Sequence, residues 1–206
     1  MNVKWLYGFG ILALVVVVLF VFVRKDKSIV NYPSNGVDII AFGDSLVQGV
    51  GATTVDNNFV SLLSKRIGKP IVNLGISGDT TMDGIKRLGE FDKYKPKVVL
   101  LLLGGNDYLR KVPIDETFSN LGKIITDLQK RGAVVLVLGV RGGVLNDKFE
   151  SRFEDLSEKY DTAYVSNVLS GLITNTQYMS DAIHPNDFGY KKIEERIYPV
   201  LAKLLK

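Results

Sequence analysis

The chain has 206 residues and one histidine, His184, set in "DAIHP" three residues after Asp181 and directly before Pro185. A lone imidazole in a polar loop reads first as an exposed side chain. Its neighbours allow more: an aspartate three residues upstream can fold back to the ring's Nδ1, the way a carboxylate orients a catalytic base. A base needs a proton to take, and "FGDSLVQG" (42–49) offers Ser45 after Gly43 and Asp44. Alone, Ser45 or Asp44 is a helix N-cap by default. Two further stretches carry groups that hold negative charge. "NLGISGDTT" (73–81) brings Gly75, Gly78 and small polar residues to the start of a helix, and "LGGNDYL" (103–109) sets the Asn106 amide behind two glycines. Glycine turns of this kind present backbone N–H groups to an anion. Together the four stretches supply a nucleophile, a base, its orienter and oxyanion donors, the parts that acyl transfer requires.

Such parts must be positioned by a scaffold. Apolar, β-branched runs at 37–42, 70–75, 97–104, 133–140 and 162–167 predict strands. Segments of helical periodicity lie between and after them, around 58–67, 81–91, 115–131, 147–159 and 187–205. In 115–131 the residues Phe118, Leu121, Ile124, Ile125 and Leu128 recur at three- and four-residue spacing, as one face of an amphipathic helix. Continuous apolar strands alternating with helices predict an α/β fold, a mostly parallel sheet covered on both faces. Ligands of such sheets bind outside the carboxyl ends of the strands, which is where the chemistry-bearing stretches fall.

In this order, "GDSL", "ISGDTT", "GGND" and "DxxHP" resemble the four blocks of the SGNH (GDSL-type) hydrolases, nearest to the bacterial multifunctional acyl-CoA thioesterase/lysophospholipase/arylesterase group. The similarity runs from about Val37 to the last helix. The resemblance implies a three-layer α/β/α sandwich with a flavodoxin-like, five-stranded parallel sheet. It makes Ser45 the nucleophile and His184 with Asp181 the base pair. The oxyanion donors become the Ser45 and Gly78 N–H groups and the Asn106 amide, with Gly75 the alternative to Gly78. Asp44 and Arg141 are expected at the substrate site. The loop after the fourth strand, "VRGGVLNDKF" (140–149), departs from the group: its arginine is kept as Arg141, but glycines stand where a proline is usual. Acyl-chain preference therefore does not carry over.

The expected function is a serine esterase acting on small acyl esters or thioesters, lipids among them, with no metal or organic cofactor. The alternatives are an O-acetyl esterase or acyltransferase for carbohydrate or peptidoglycan on the same machinery, and a non-catalytic, membrane-tethered binding module. "GVGATT" (49–54) lacks both the GxGxxG and GxxxxGK[ST] patterns of nucleotide sites.

Composition narrows the rest. The chain has no cysteine, so disulfides, thiolate metal sites and a cysteine nucleophile are excluded, and one histidine is poor provision for zinc. The net charge of +4 is concentrated at the N-terminus. Lys4, Arg24, Lys25 and Lys27 stand there against Asp26, so of 26 basic and 22 acidic residues the remainder holds 22 and 21. A near-neutral body predicts no nucleic-acid partner. Residues 6–23, "LYGFGILALVVVVLFVFV", are uncharged and as a helix would extend about 27 Å, close to a bilayer's hydrocarbon core. No small-residue cleavage site comes after them, so residues 1–27 predict an uncleaved anchor with a basic flank, 28–36 a linker, and 37–206 the hydrolase domain. The heavier positive charge after the span favours a cytoplasmic body. Because N-terminal anchors often translocate the domain C-terminal to them, an extracytoplasmic catalytic domain is the expectation and the cytoplasmic face the alternative.

Overall fold

The computed structural model describes residues 28–141 and 148–206. Five strands form one parallel sheet: β1 (Asp38–Gly43), β2 (Ile71–Gly75), β3 (Pro96–Leu102), β4 (Val134–Leu138) and β5 (Ala163–Val165). Their order is β2-β1-β3-β4-β5. This is the flavodoxin-like order, whose ligand crevice opens where the chain passes to opposite sides of β1 and β3. Strand β4 is buried throughout and β3 nearly so, as expected for strands covered on both faces.

Among the described residues seven helices surround the sheet: α1 (Ser45–Gln48), α2 (Phe59–Ile67), α3 (Thr81–Lys86), α4 (Gly105–Leu109), α5 (Ile114–Lys130), α6 (Lys148–Lys159) and α7 (Asp187–Leu204). Helix α2 packs with α7, while α3, α5 and α6 form the second group. In α5 the five periodic apolar residues are all buried. Helix α2 begins at Asn58, whose side chain accepts the Ser61 N–H, and α7 at Asn186, whose side chain accepts those of Phe188 and Gly189.

The structure departs from the periodicity at 81–91. Helix α3 stops at Lys86 and a 3₁₀ turn (Leu88–Lys93) follows. At the break, Arg87 turns inward, donating from Nη2 to the Gly43 and Leu74 carbonyls at the ends of β1 and β2. The short helices α1 and α4 have no counterpart in the periodic pattern, since four or five residues are too few to show one.

The stretch 28–36, expected as a linker, crosses the edge where the strands begin. Val30 N–H donates to the Asp161 carbonyl, Asn31 to those of Gln129 and Ala133, Ser34 to that of Gly132, and Tyr32 Oη to that of Lys203. Among the described residues no helix is long and apolar enough to cross a membrane. The expected span at 6–23 lies outside the described residues.

Candidate active site

Strand β1 delivers Ser45 to the first position of α1. The Asp44 side chain caps that helix, its Oδ1 accepting the Leu46 N–H at 3.0 Å. The N–H of Ser45 is one of the donors that a helix start leaves without an intrahelical acceptor.

His184 arrives from the loop before α7. Its Nδ1 lies 2.7 Å from Asp181 Oδ2 and its Nε2 lies 3.1 Å from Ser45 Oγ. Asp181 Oδ1 accepts the backbone N–H groups of Ile183 and His184, each at 2.8 Å. The hydrogen bond from His184, followed by those two amides, holds the Asp181 carboxyl down to about 2. The group is thus ionised at neutral pH and can only accept. Nδ1 must then carry the imidazole proton, leaving the Nε2 lone pair to receive the Ser45 hydroxyl proton.

The loop is held from several sides. Ser180 N–H donates to the His184 carbonyl, and Thr53 donates from N and Oγ1 to the Asp187 carboxylate at 2.8 and 2.6 Å. Gly51, with φ of +94°, lets the chain after α1 approach this loop: a Cβ there would lie 2.4 Å from the Pro185 carbonyl oxygen and 3.2 Å from His184 Cβ. "GVGATT" thereby acquires a role that its motif-free sequence did not signal, bringing the Ser45 and His184 loops together.

The two loops expected to supply oxyanion donors are also tied to each other. Asn106, in α4, donates from Nδ2 to the Asp79 carbonyl at 3.0 Å. The adjacent Asp107 is buried and accepts the Thr81 N–H and hydroxyl at 2.9 and 2.5 Å. Between the two candidate glycines the hydrogen bonding discriminates. The Gly75 N–H already donates to Asn73 Oδ1 at 2.9 Å. Gly78 has φ of +87°, and its N–H has no acceptor among the described residues, while its carbonyl receives Arg110 Nη2 at 2.7 Å. Asp107 and Thr81, which hold these loops, went unrecognised in the sequence because they are 26 residues apart, and Arg87 because its inward turn depends on the backbone carbonyls of Gly43 and Leu74. The one available signal was the acid beside Asn106.

Asp44, Ser45, Asn106, Arg141 and His184 line one cavity of about 320 Å³, walled by Tyr108, Leu109, Val140, Leu169, Ile173 and Ile183. Gly78 is not among the residues that line it; the carbonyl of its neighbour Asp79 accepts the Asn106 amide. Two larger clefts, of about 660 and 700 Å³, contain neither Ser45 nor His184, so chemistry rather than size selects the site. At the rim Arg141 is engaged by Glu150 at 3.0 Å, and Glu150 also accepts the Ser166 hydroxyl.

Burial pushes the Asp44 carboxyl up to about 7, against the pull of the Leu46 N–H and of His184. An unfolded aspartate titrates near 4, so this group favours the folded state fully below that value, and the advantage is lost as pH rises to 7. Three pH units correspond to an upper bound of about 4 kcal/mol. Asp44→Asn keeps the capping oxygen and should lose much of the fall in stability between pH 4 and 7. Urea melts of both proteins across that range check this, and parallel pH dependences would sink it.

Residues 41–192 match the model of the GDSL-like lipase/acylhydrolase family. The chain is 31% identical to an arylesterase of Vibrio mimicus over 179 residues, covering 81% of this chain and 89% of that one. It is equally identical to the esterase TesA of Pseudomonas aeruginosa over 180 residues, with the same coverage. A crystal structure of TesA superimposes with a TM-score of 0.75 at 28% identity, covering 82% of this chain and 99% of that one. The psychrotrophic esterase EstA of Pseudoalteromonas sp., inhibited by monoethylphosphonate, gives 0.72 at 27% identity over 82% and 98%. With the matched region running from β1 into α7 and enclosing Ser45, Asn106 and His184, the chain belongs to the GDSL-like lipase/acylhydrolase family and is a carboxylic ester hydrolase.

Proposed function

We propose that the protein hydrolyses esters or thioesters through an acyl-enzyme on Ser45. The observation that carries this is the line from Asp181 through His184 to Ser45 Oγ at the floor of an apolar cavity. His184 Nε2 takes the hydroxyl proton as Ser45 Oγ attacks the acyl carbon. The Ser45 and Gly78 N–H groups and the Asn106 amide receive the oxyanion. To do so, the Asn106 amide must offer the substrate a hydrogen that the Asp79 carbonyl does not hold. Collapse expels the alcohol or thiol with the proton from His184, and a water deprotonated by His184 then releases the acid. Asp181 stabilises the imidazolium formed at each step.

The apolar walls suit an acyl chain, and lipids and thioesters fall within this reading, as the names of the arylesterase and of the Escherichia coli thioesterase 1/protease 1/lysophospholipase L1 suggest for those relatives. The domain organisation is an anchor in residues 1–27, a joining segment at 28–36 that is strapped to the body, and the catalytic domain from 37 onward. Residues 6–23 span a membrane once, with the catalytic domain on the extracytoplasmic side.

Full-length protein in detergent should hydrolyse p-nitrophenyl esters within a series from acetate to palmitate. An alkylphosphonate ester should add its phosphonyl mass to Ser45 and stop turnover. Labelling at another residue, or hydrolysis unaffected by labelling, would overturn the reading. A strict preference for acetate with release of acetate from cell-wall material would move it to the O-acetyl esterase class.

A further inference from the structure

We infer that the edge where the strands begin is a docking face for the anionic surface of the bilayer that the N-terminal segment enters, and that the catalytic mouth opens away from that bilayer. This rests on the membrane span proposed above for residues 6–23.

Chain geometry comes first. Ser45, Asn106 and His184 all lie at the end where the strands finish, whereas the strap formed by residues 29–36 is hydrogen-bonded across the opposite end. Ile29 packs against the core, so the chain is held almost from its first described residue. Only residues 24–28 separate the proposed span from that strap, a reach of about 18 Å. The seven residues of β3 alone set the two ends about 23 Å apart. A tether that short cannot run the height of the sheet to turn the mouth toward the membrane.

Charge points the same way. Lys69, Lys93, Lys95, Lys130, Lys159 and Lys203 sit exposed at helix ends or strand starts on the strap side, with no carboxylate partner among the described residues. Helices that end here place negative dipole ends at this edge, which accounts for lysines in that position. It does not neutralise them, and the exposed acids near the same edge outside the Arg131 ion pairs include Asp155, Glu158 and Asp161. Such a surface suits anionic headgroups within a Debye length of about 10 Å. The apolar side chains of Ile76, Tyr108, Leu109, Ile173 and Ile183 are exposed at the other end, around the mouth. Substrate therefore reaches the site from the aqueous side, as a soluble or carried acyl ester, rather than by withdrawal from the anchoring leaflet.

The chain has no cysteine, so Lys95→Cys and Ile183→Cys each give one labelling site. The full-length variants, carrying one fluorophore each, are reconstituted in vesicles of phosphatidylcholine and phosphatidylglycerol doped with a headgroup quencher. The expected result is several-fold stronger quenching at 95 than at 183. Charge reversal of Lys69, Lys130, Lys159 and Lys203 to Glu should weaken the quenching at 95 while turnover of a soluble ester is kept. Equal quenching, stronger quenching at 183, or indifference to the reversal would each overturn the docking face. Flotation with the vesicles reads the span separately: a chain that does not float overturns the anchor and this inference with it, while its ester turnover still reports the catalytic proposal.

Discussion

Ser45→Ala and His184→Gln should each lower kcat/KM for p-nitrophenyl esters by about 10⁴-fold or more, and the double variant should lose no more than the worse of the two. The expectation follows from the roles. A base with no hydroxyl to deprotonate contributes nothing, and a serine without its base is a weak nucleophile. No second histidine exists to substitute for His184. Asp181→Asn belongs to the same unit. The amide can donate to Nδ1 and drive the proton to Nε2, the wrong tautomer for accepting from Ser45, and a comparable loss of about 10⁴-fold is expected in kcat. Initial rates of the three single variants and the Ser45/His184 double variant check this, with circular dichroism to show that each is folded. Losses that multiply in the double variant would mean that two residues act on separate steps, and the proposed proton transfer would fall.

The sequence made the sheet and the reacting groups visible for different reasons. Strands β3 and β4 are buried runs of Val and Leu that no polar environment would tolerate, and α5 shows its buried face at regular spacing. His184 was conspicuous because it has no competitor in the chain. What escaped were the supporting ties around those groups, which are held by long-range or backbone hydrogen bonds. The helices α1 and α4 are too short for periodicity, yet they carry Ser45 and Asn106. The strap at 28–36 looked like a linker because its side chains are polar and turn-forming, and those same groups satisfy carbonyls of α5, of the turn before β4 and of α7 that lie about 100 to 170 residues away. Asp107 was legible only as the neighbour of Asn106, since its acceptor role depends on Thr81, 26 residues earlier.

Arg87 is the most consequential of these hidden ties, and Arg87→Met should cost about 3–5 kcal/mol of stability and lower kcat about 10²-fold. Its guanidinium is largely buried over the Phe42 ring, with Nε 2.7 Å from Asp79 Oδ2, an ion pair close in distance but poorly aligned as a hydrogen bond. Nη2 donates to the carbonyls of Gly43, two residues before Ser45, and of Leu74, while Nη1 reaches Glu90. Burial raises the Asp79 carboxyl above its ordinary range even with Arg87 opposing it. Methionine fills similar volume but leaves that carboxylate without a counter-ion and takes the guanidinium donor from both carbonyls, of which Gly43 keeps the Ile76 N–H. The Asp79 carbonyl that receives Asn106 belongs to the same residue, so its displacement reaches the oxyanion donors directly. Adding Asp79→Asn removes the uncompensated charge and should restore much of the stability in urea melts. It does not restore the donors to Gly43 and Leu74, so kcat should stay low in the double variant. If stability and kcat instead recover together, Arg87 acts only through the charge of Asp79; if Arg87→Met melts and turns over like the wild type, the tie holds nothing that catalysis needs.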